Sequence, residues 1–302
     1  MKNKVLIVGS VAYDNIETPF DRSEWILGGS ASYAALASAF FAPTQVCGIV
    51  GKDFKDTDMQ RLQKRGIDTT PVEVSADGET FFWSGKYHEN FNSRETLEVR
   101  VNVYENYTPK LPDSAKNPDY LLLANIGPDV QAAALDAIES KPFVILDTMD
   151  LWINVANAPL KSLIKRADIL ILNESEAKLL TGQNNLIVAG DEMLKMGAKS
   201  VIVKTGEFGA MLFHADGFFT LPAYPVRELR DPTGAGDSFA GALTGCLAAS
   251  GKTDFQTIKK AMVMGAAVAS LTVESFSCDR LEEAGMAEIN RRQEYIREIS
   301  QF

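Results

Sequence analysis

The sequence has little cysteine and little histidine, with 3 cysteines and 2 histidines in 302 residues. Cys47, Cys246 and Cys278 lie far apart and form no CxxC pair, so we expect neither a disulfide framework nor a cysteine-based zinc site. Cysteines that stay reduced are typical of a cytoplasmic protein, which is the localisation we expect. Two histidines also leave little material for a histidine-rich zinc site or a histidine-centred triad.

The chain also lacks an excess of positive charge and a long apolar run. Its 30 basic residues stand against 40 acidic ones, which gives a net charge of −10. General nucleic-acid binding needs a basic surface, so we expect no nucleic-acid partner. No stretch approaches about 18 uninterrupted apolar residues, and the first apolar run is too short for a signal peptide, so we expect no membrane association.

Short apolar runs alternate with amphipathic stretches along most of the chain. The runs predict parallel strands that are buried on both faces, at residues 4–9, 120–125, 143–147, 169–173 and 200–204. Helical patterns lie between them, at residues 129–140, 160–166, 174–180 and 186–196. This order predicts a doubly wound, mostly parallel sheet flanked by helices, and the length of the chain allows one large α/β domain or two smaller ones. Ligands bind beyond the carboxyl ends of the strands in such a sheet.

Two stretches interrupt the pattern, at about residues 12–28 and 79–107. They lack helical periodicity and are rich in β-branched and aromatic residues with interleaved charges. We interpret them as a small antiparallel β-sheet that stands off the main sheet, either for packing alone or as a lid over a ligand. Aromatic side chains on both faces of the strand near residues 80–87 suggest a homodimer contact through this lid.

The strongest motif is the glycine-rich segment DPTGAGDSFAG at residues 231–241. Gly234-Ala235-Gly236 provides a backbone without bulk and with access to positive φ, and small residues then continue as a helix. A turn of this kind presents several N–H groups, and the positive end of the helix dipole, to one point. That point stabilises an anion, which is either a bound phosphate or the charge that develops on a transferring phosphoryl group.

Asp237 follows this turn at the start of the helix. A carboxylate there can serve as a helix cap, but a cap does not account for the glycines. Beside an anion-binding turn, the carboxylate is also placed to accept a proton from a hydroxyl that attacks phosphorus. Other motifs fail on spacing, since GxGxxG would require glycine at Phe239, and neither a Walker A segment nor a GxSxG elbow is present. The residues therefore favour phosphoryl transfer over hydride transfer.

The segment DPTGAGDSFAG resembles the C-terminal signature of the ribokinase-like sugar kinases, the PfkB family. GGSASYAALA, which begins at Gly28, resembles the first signature of that family, and NESE at residues 173–176 resembles its NxxE motif. The resemblance extends over essentially the whole chain. It implies a single ribokinase-like α/β domain over residues 1–302, with a β lid formed by about residues 12–28 and 79–107. It also implies an enzyme that transfers phosphate from ATP to a hydroxyl of a small sugar-like substrate.

The resemblance also implies a role for each residue that matches a family motif. Asp237 is the expected catalytic base, and the expected anion hole consists of Gly234, Ala235 and Gly236. The expected substrate-binding residues are Asp14, Gly28, Gly29 and Tyr33. The expected nucleotide site contains Lys204, Thr205, Gly206, Gly209 and Thr233. The expected Mg²⁺ residues are Asn173 and Glu176, which the residues alone indicate only as a helix-start pair.

Several alternatives stay open on the sequence. Tyr33 stands where many family members have asparagine, which disfavours ribose itself as the substrate. The lid carries few cations, so a neutral sugar is favoured over a sugar phosphate. A nucleoside is the close alternative, because aromatic side chains of the lid could stack on a base. A monovalent cation near Asp231 is a further possibility, and a non-catalytic ligand sensor is the rival from another class, which the retained Asp237 disfavours.

Overall fold

The structure is a computed structural model that describes residues 2–89, 91 and 94–301. Its strands are β1 (Val5–Val8), β2 (Ala12–Glu17), β3 (Arg22–Gly28), β4 (Thr44–Val50), β5 (Val72–Val74), β6 (Phe81–Tyr87), β7 (Arg94–Arg100), β8 (Tyr120–Leu123), β9 (Phe143–Asp147), β10 (Ile169–Asn173), β11 (Ser200–Lys204), β12 (Ala210–His214) and β13 (Gly217–Leu221). Its helices are α1 (Ser30–Ser38), α2 (Asp56–Lys64), α3 (Pro128–Asp136), α4 (Asp150–Val155), α5 (Asn157–Ile164), α6 (Glu174–Thr181), α7 (Leu186–Lys195), α8 (Ala235–Ser250), α9 (Phe255–Thr272), α10 (Asp279–Glu283) and α11 (Met286–Ile299).

The large sheet has nine strands in the order β13-β12-β11-β10-β9-β8-β1-β4-β5. Only β12 and β13, at one edge, pair antiparallel with their neighbours. In β1, Val5 and Ile7 belong to one core cluster, and Leu6 and Val8 belong to another. The sheet is thus covered on both faces, which explains why its strands are continuously apolar and confirms the predicted doubly wound α/β fold.

A second, separate sheet of four strands has the order β3-β2-β6-β7, and we call it the small sheet. It occupies the two stretches that interrupt the α/β pattern. The sequence predicts an antiparallel element, but β2 and β6 pair parallel. The reason is topological, since β4 and β5 of the large sheet intervene and β6 enters the small sheet in the same direction as β2.

The register of the small sheet decides which of its side chains share a face. Asp14 of β2 pairs with Trp83 of β6, and Tyr87 of β6 pairs with Arg94 of β7. Directly paired residues point to the same side, and so do residues two or four apart on one strand. We call the side with Asp14, Trp83, Tyr87 and Arg94 the inner face. Phe82 lies on the opposite side of the sheet.

Close packing between α1 and α8 fixes where the glycine-rich turn lies. A Cβ atom on Gly241 of α8 would come within 2.0 Å of the Ala34 carbonyl oxygen in α1, so only glycine permits this approach. Residues 238–245 of α8 are buried, whereas residues 232–237 before them are partly exposed. The turn therefore remains accessible beside the carboxyl edge of the large sheet, and we call the space there the cleft. Among the described helices, none is long and apolar enough to span a bilayer.

Candidate active site

Three neighbouring strands of the large sheet, β9, β10 and β11, end in polar residues, namely Asp147, Asn173 and Lys204. Lys204 Nζ lies 3.4 Å from Asp147 Oδ2, and both side chains are largely buried. A Cβ atom on Gly236 would lie 2.8 Å from Lys204 Nζ. The carboxyl edge of the sheet thus places an ammonium group directly against the glycine-rich turn.

The turn itself has the geometry of an anion-binding helix start. Gly234 is the N-cap of α8 with φ 76°, a left-handed conformation that favours glycine. A Cβ atom there would also lie 2.4 Å from the Tyr33 ring. The Ala235 N–H donates to the Pro232 carbonyl at 3.2 Å, so this amide is used within the turn. Gly236 and Asp237 are in the first helical turn, where backbone N–H groups find no carbonyl acceptor inside the helix.

Asp237 is the third residue of α8, whereas the N-cap position belongs to Gly234. The interpretation of Asp237 as a helix cap is therefore wrong. Its pKa is raised to about 6, mainly by burial and also by the nearby charge of Asp147, while Lys204 and Arg94 offset part of the rise. A carboxyl group with this pKa is ionised at neutral pH and is more basic than an exposed aspartate, which suits a general base.

The carboxyl group of Asp14 packs against Gly28 and Gly29, the two glycines that precede α1. A Cβ atom on Gly28 would come within 2.0 Å of Asp14 Oδ2, so the carboxyl group occupies the space that a side chain would fill. Burial raises the pKa of Asp14 to about 8, with further contributions from Asp231 and Asp237, while the Gly29 backbone N–H favours the ionised form. The structure therefore brings Asp14, Gly28 and Gly29 together.

Two buried polar atoms beside the turn have no hydrogen-bond partner among the described residues, namely the Tyr33 hydroxyl and Asp231 Oδ2. Tyr33 is only 1% exposed and its ring packs beneath Gly234, so its main contact is with the turn and not with the open cleft. Asp231 Oδ1 accepts the Thr233 backbone N–H at 2.8 Å. Burial raises the pKa of Asp231 to about 7.

Asn173 and Glu176 form a capping box at the start of α6. Asn173 Oδ1 accepts the Glu176 backbone N–H at 2.9 Å, and Glu176 Oε2 accepts the Asn173 N–H at 2.7 Å. The helix-start interpretation of this pair is thus confirmed. Burial raises the pKa of Glu176 to about 7, with Lys204 lowering it and Asp147 raising it.

Asn173 and Glu176 fit Mg²⁺ only if other ligands complete its coordination. In the part of the chain that the structure describes, no group of three or more His, Cys, Asp or Glu side chains could hold a metal ion. Mg²⁺ in phosphate-transferring enzymes is commonly held by one or two carboxylates together with substrate phosphates and waters. Glu176 can supply one such oxygen besides the one in its capping box. The site suits a metal that arrives with a nucleotide, and not an all-protein cage.

The other residues expected at the nucleotide site divide into two groups. Thr205, Gly206 and Gly209 form a tight turn after β11, in which the Thr205 N–H donates to the Gly209 carbonyl at 2.8 Å. This turn continues outward from Lys204, with Gly206 exposed at the sheet edge. Thr233 differs, because its Oγ1 lies 3.0 Å from the Tyr87 hydroxyl of the small sheet. That contact links the small sheet directly to the glycine-rich turn.

Sequence reasoning assigns no role to two charged residues of this site, although it counts Arg94 among the few cations of the lid. Asp147 is 3% exposed, and burial raises its pKa despite the neighbouring Lys204. Its position at the end of a buried strand is a signal that the sequence offers. Arg94, from the small sheet, lowers the pKa of both Asp14 and Asp237. No motif marks Arg94, since only the register of β6 and β7 reveals that it faces the site.

The family model for pfkB family carbohydrate kinases matches residues 2–284 of the chain. A cytidine kinase from Thermococcus kodakarensis is 27% identical over 251 residues, which cover 78% of this chain and 86% of that protein.

Solved structures resemble the fold throughout. The aminoimidazole riboside kinase of Salmonella enterica, complexed with aminoimidazole riboside and an ATP analogue, has a TM-score of 0.77 at 21% identity and covers 96% of this chain and 100% of its own. A putative ribokinase II of E. coli, in complex with ATP and Mg²⁺, has a TM-score of 0.79 at 21% identity, with 97% and 99% covered. At this level of identity the likeness establishes the fold alone.

Proposed function

Because the chain belongs to the pfkB family of carbohydrate kinases, we propose that it uses ATP to phosphorylate a hydroxyl group of a neutral, sugar-like molecule held by Asp14. The observation that carries this proposal is the juxtaposition at one cleft of Asp237, the glycine-rich turn and the Lys204 ammonium. In this assignment Asp237 accepts the hydroxyl proton. Gly234, Gly236 and Lys204 stabilise the charge on the phosphoryl group.

Asp14 is suited to bind the acceptor hydroxyls. A carboxylate accepts hydrogen bonds from two adjacent hydroxyls, and charge-assisted bonds of this kind are the stronger ones. Gly28 and Gly29 keep the chain close beside it. We assign ATP to the edge formed by Lys204 and the turn that follows it. Mg²⁺ would be organised by Glu176, directly or through water, and would neutralise phosphate charge there.

A nucleoside is the second candidate for the substrate, and one observation favours it. Trp83 lies on the inner face directly opposite Asp14, and its ring covers Gly85, where a Cβ atom would come within 2.0 Å of it. An indole held beside the hydroxyl-binding carboxylate could stack on a base. The relatives that the sequence matches include kinases named for both classes, a cytidine kinase and a ribokinase.

The direct test measures ADP release with ATP and Mg²⁺ against ribose, fructose, myo-inositol, cytidine and inosine. We expect turnover with at least one of them, abolished in Asp237→Asn and retained in the surface control Asp216→Asn. Trp83→Ala separates the two substrate classes, because it should raise KM strongly for a nucleoside and little for a free sugar. ATP-dependent transfer to none of these alcohols, together with ligand binding, would favour the non-catalytic sensor.

Four finer assignments complete the proposal. The small sheet acts as a lid within a single domain, which the Tyr87–Thr233 contact supports. A monovalent cation binds beside Asp231, since Oδ2 of that buried carboxyl group has no described partner. Two chains associate through the lid, where the edge strand β7 exposes Leu97 and Val99. We also assign the protein to the cytoplasm, in keeping with its free cysteines. Light scattering and K⁺ titration of turnover test the dimer and the cation.

A further inference from the structure

We propose that Arg94, carried by the small sheet, is a further catalytic residue that donates hydrogen bonds to the transferring phosphoryl group. This inference rests on the proposed kinase function. It adds a cation from the small sheet to Lys204, which the large sheet carries.

The position of Arg94 follows from the strand register and from a chain of contacts. Arg94 pairs with Tyr87, and the Tyr87 hydroxyl lies 3.0 Å from Thr233 Oγ1, in the residue just before Gly234. The Arg94 guanidinium carbon lies 5.6 Å from the centre of the Trp83 ring, and Trp83 is opposite Asp14. Arg94 is therefore on the inner face, between the residue proposed to hold the acceptor and the turn proposed to hold the phosphate.

The other cations of the small sheet are engaged elsewhere. Lys86 Nζ lies 2.5 Å from Glu17 Oε1, and Arg22 of β3 forms an ion pair with Glu24. Arg100 donates to Glu98 at 2.7 Å and lies 4.8 Å above the Phe82 ring, on the side away from the site. Arg94 is thus the cation that the register of this sheet directs at the cleft.

The electrostatics agree with this placement. The positive charge of Arg94 lowers the pKa of Asp14, of Glu176 and of Asp237, which belong to the small sheet, to α6 and to α8. A charge that acts on all three carboxyl groups must lie close to the space they share. A guanidinium also presents paired donors that match two phosphoryl oxygens, whereas Lys204 is a point charge.

An arginine that acts mainly on the transition state should affect kcat more than KM. Arg94→Gln should lower kcat by about 100-fold or more, with KM for ATP and for the acceptor changed by less than about threefold. Arg94→Lys should recover only part of the loss. The matched control Arg100→Gln removes an arginine from the opposite face and should stay within about twofold of the wild type. Thermal denaturation of each variant confirms that it is folded.

A second measurement needs no acceptor. Calorimetry compares the affinity of the wild type and of Arg94→Gln for Mg²⁺-ADP alone and for Mg²⁺-ADP with aluminium fluoride, a mimic of the transferring phosphoryl group. We expect Arg94→Gln to weaken only the aluminium fluoride complex, by about tenfold or more. Equal affinities, or a rise in acceptor KM at unchanged kcat, would overturn the role of Arg94 alone. Absence of any nucleotide binding by the wild type would overturn the proposed function, and this inference with it.

Discussion

Replacing Asp237 by asparagine should abolish turnover and at the same time stabilise the fold. Asparagine has nearly the same shape as aspartate but cannot accept the hydroxyl proton. We expect kcat to fall by about 10²- to 10⁴-fold, the usual contribution of a general base. The stabilisation has a different origin, because Asp237 is held in surroundings that disfavour its charge, mainly through burial and the nearby Asp147.

The size of the stabilisation follows from the pKa of Asp237. It rises from 3.8 to about 6 on folding, a shift of about 2 pH units. Each unit corresponds to about 1.4 kcal/mol, so ionised Asp237 lowers the free energy of unfolding by up to about 3 kcal/mol at pH 8. Between pH 4 and 6 the folded state binds more protons than the unfolded state, so stability falls as pH rises through this window. Below it, the folded and unfolded states are both protonated and the penalty vanishes.

Urea unfolding of the wild type and of Asp237→Asn at pH 8 and at pH 4 measures the effect. We expect the variant to be more stable by about 2–3 kcal/mol at pH 8 and by less than about 1 kcal/mol at pH 4. Asp216→Asn, which alters a carboxyl group 71% exposed, serves as the control and should show no such difference. A variant that is less stable than the wild type at pH 8, or that keeps wild-type turnover, would refute the reasoning.

Three further predictions concern neighbouring features of the site. Gly234→Ala should lower the free energy of unfolding, measured in urea, by more than about 2 kcal/mol, because φ is 76° and the new Cβ would meet the Tyr33 ring. The control Gly182→Ala, with φ 71° and no neighbour within 4 Å, should lower it by only about 1 kcal/mol. The wild-type kcat/KM should fall as the pH is lowered from 8 to 6, because Asp14 has a pKa raised to about 8 and loses its charge over this range. A value of kcat/KM that does not change with pH would contradict this. EDTA should abolish turnover without lowering Tm, because the capping box that holds the start of α6 is made without a metal.

Local patterns predict the large sheet well. Strands at residues 143–147, 169–173 and 200–204 appear with the predicted bounds, because a parallel strand that is buried on both faces must be apolar throughout. The glycine-rich turn can also be predicted from the sequence, because a residue with left-handed backbone before a helix is usually glycine. The capping box at residues 173–176 depends on neighbouring residues as well, and the sequence indicates it as a helix-start pair.

Features that depend on contacts far apart in the sequence could not be predicted in the same way. The parallel pairing of β2 with β6 follows from the path of the intervening chain and not from either strand. Arg94 reaches the site only because β7 pairs with β6 in one register, and a shift of one residue would turn it to the opposite face. Tyr33 was expected at the substrate, but its burial beneath Gly234 depends on how α1 packs against α8.

The charges of the site predict that its stability and its proposed function oppose each other. Burial raises the pKa of a set of carboxyl groups that converge on one cleft, namely Asp14, Asp147, Glu176, Asp231 and Asp237. Lys204 and Arg94 offset part of this negative charge. Under the proposed function, a nucleotide would add further negative charge, so we expect a metal ion to accompany its phosphates. In that assignment the metal ion would offset the charge of the carboxyl groups nearest to it, and nucleotide binding would therefore favour the ionised form of the site.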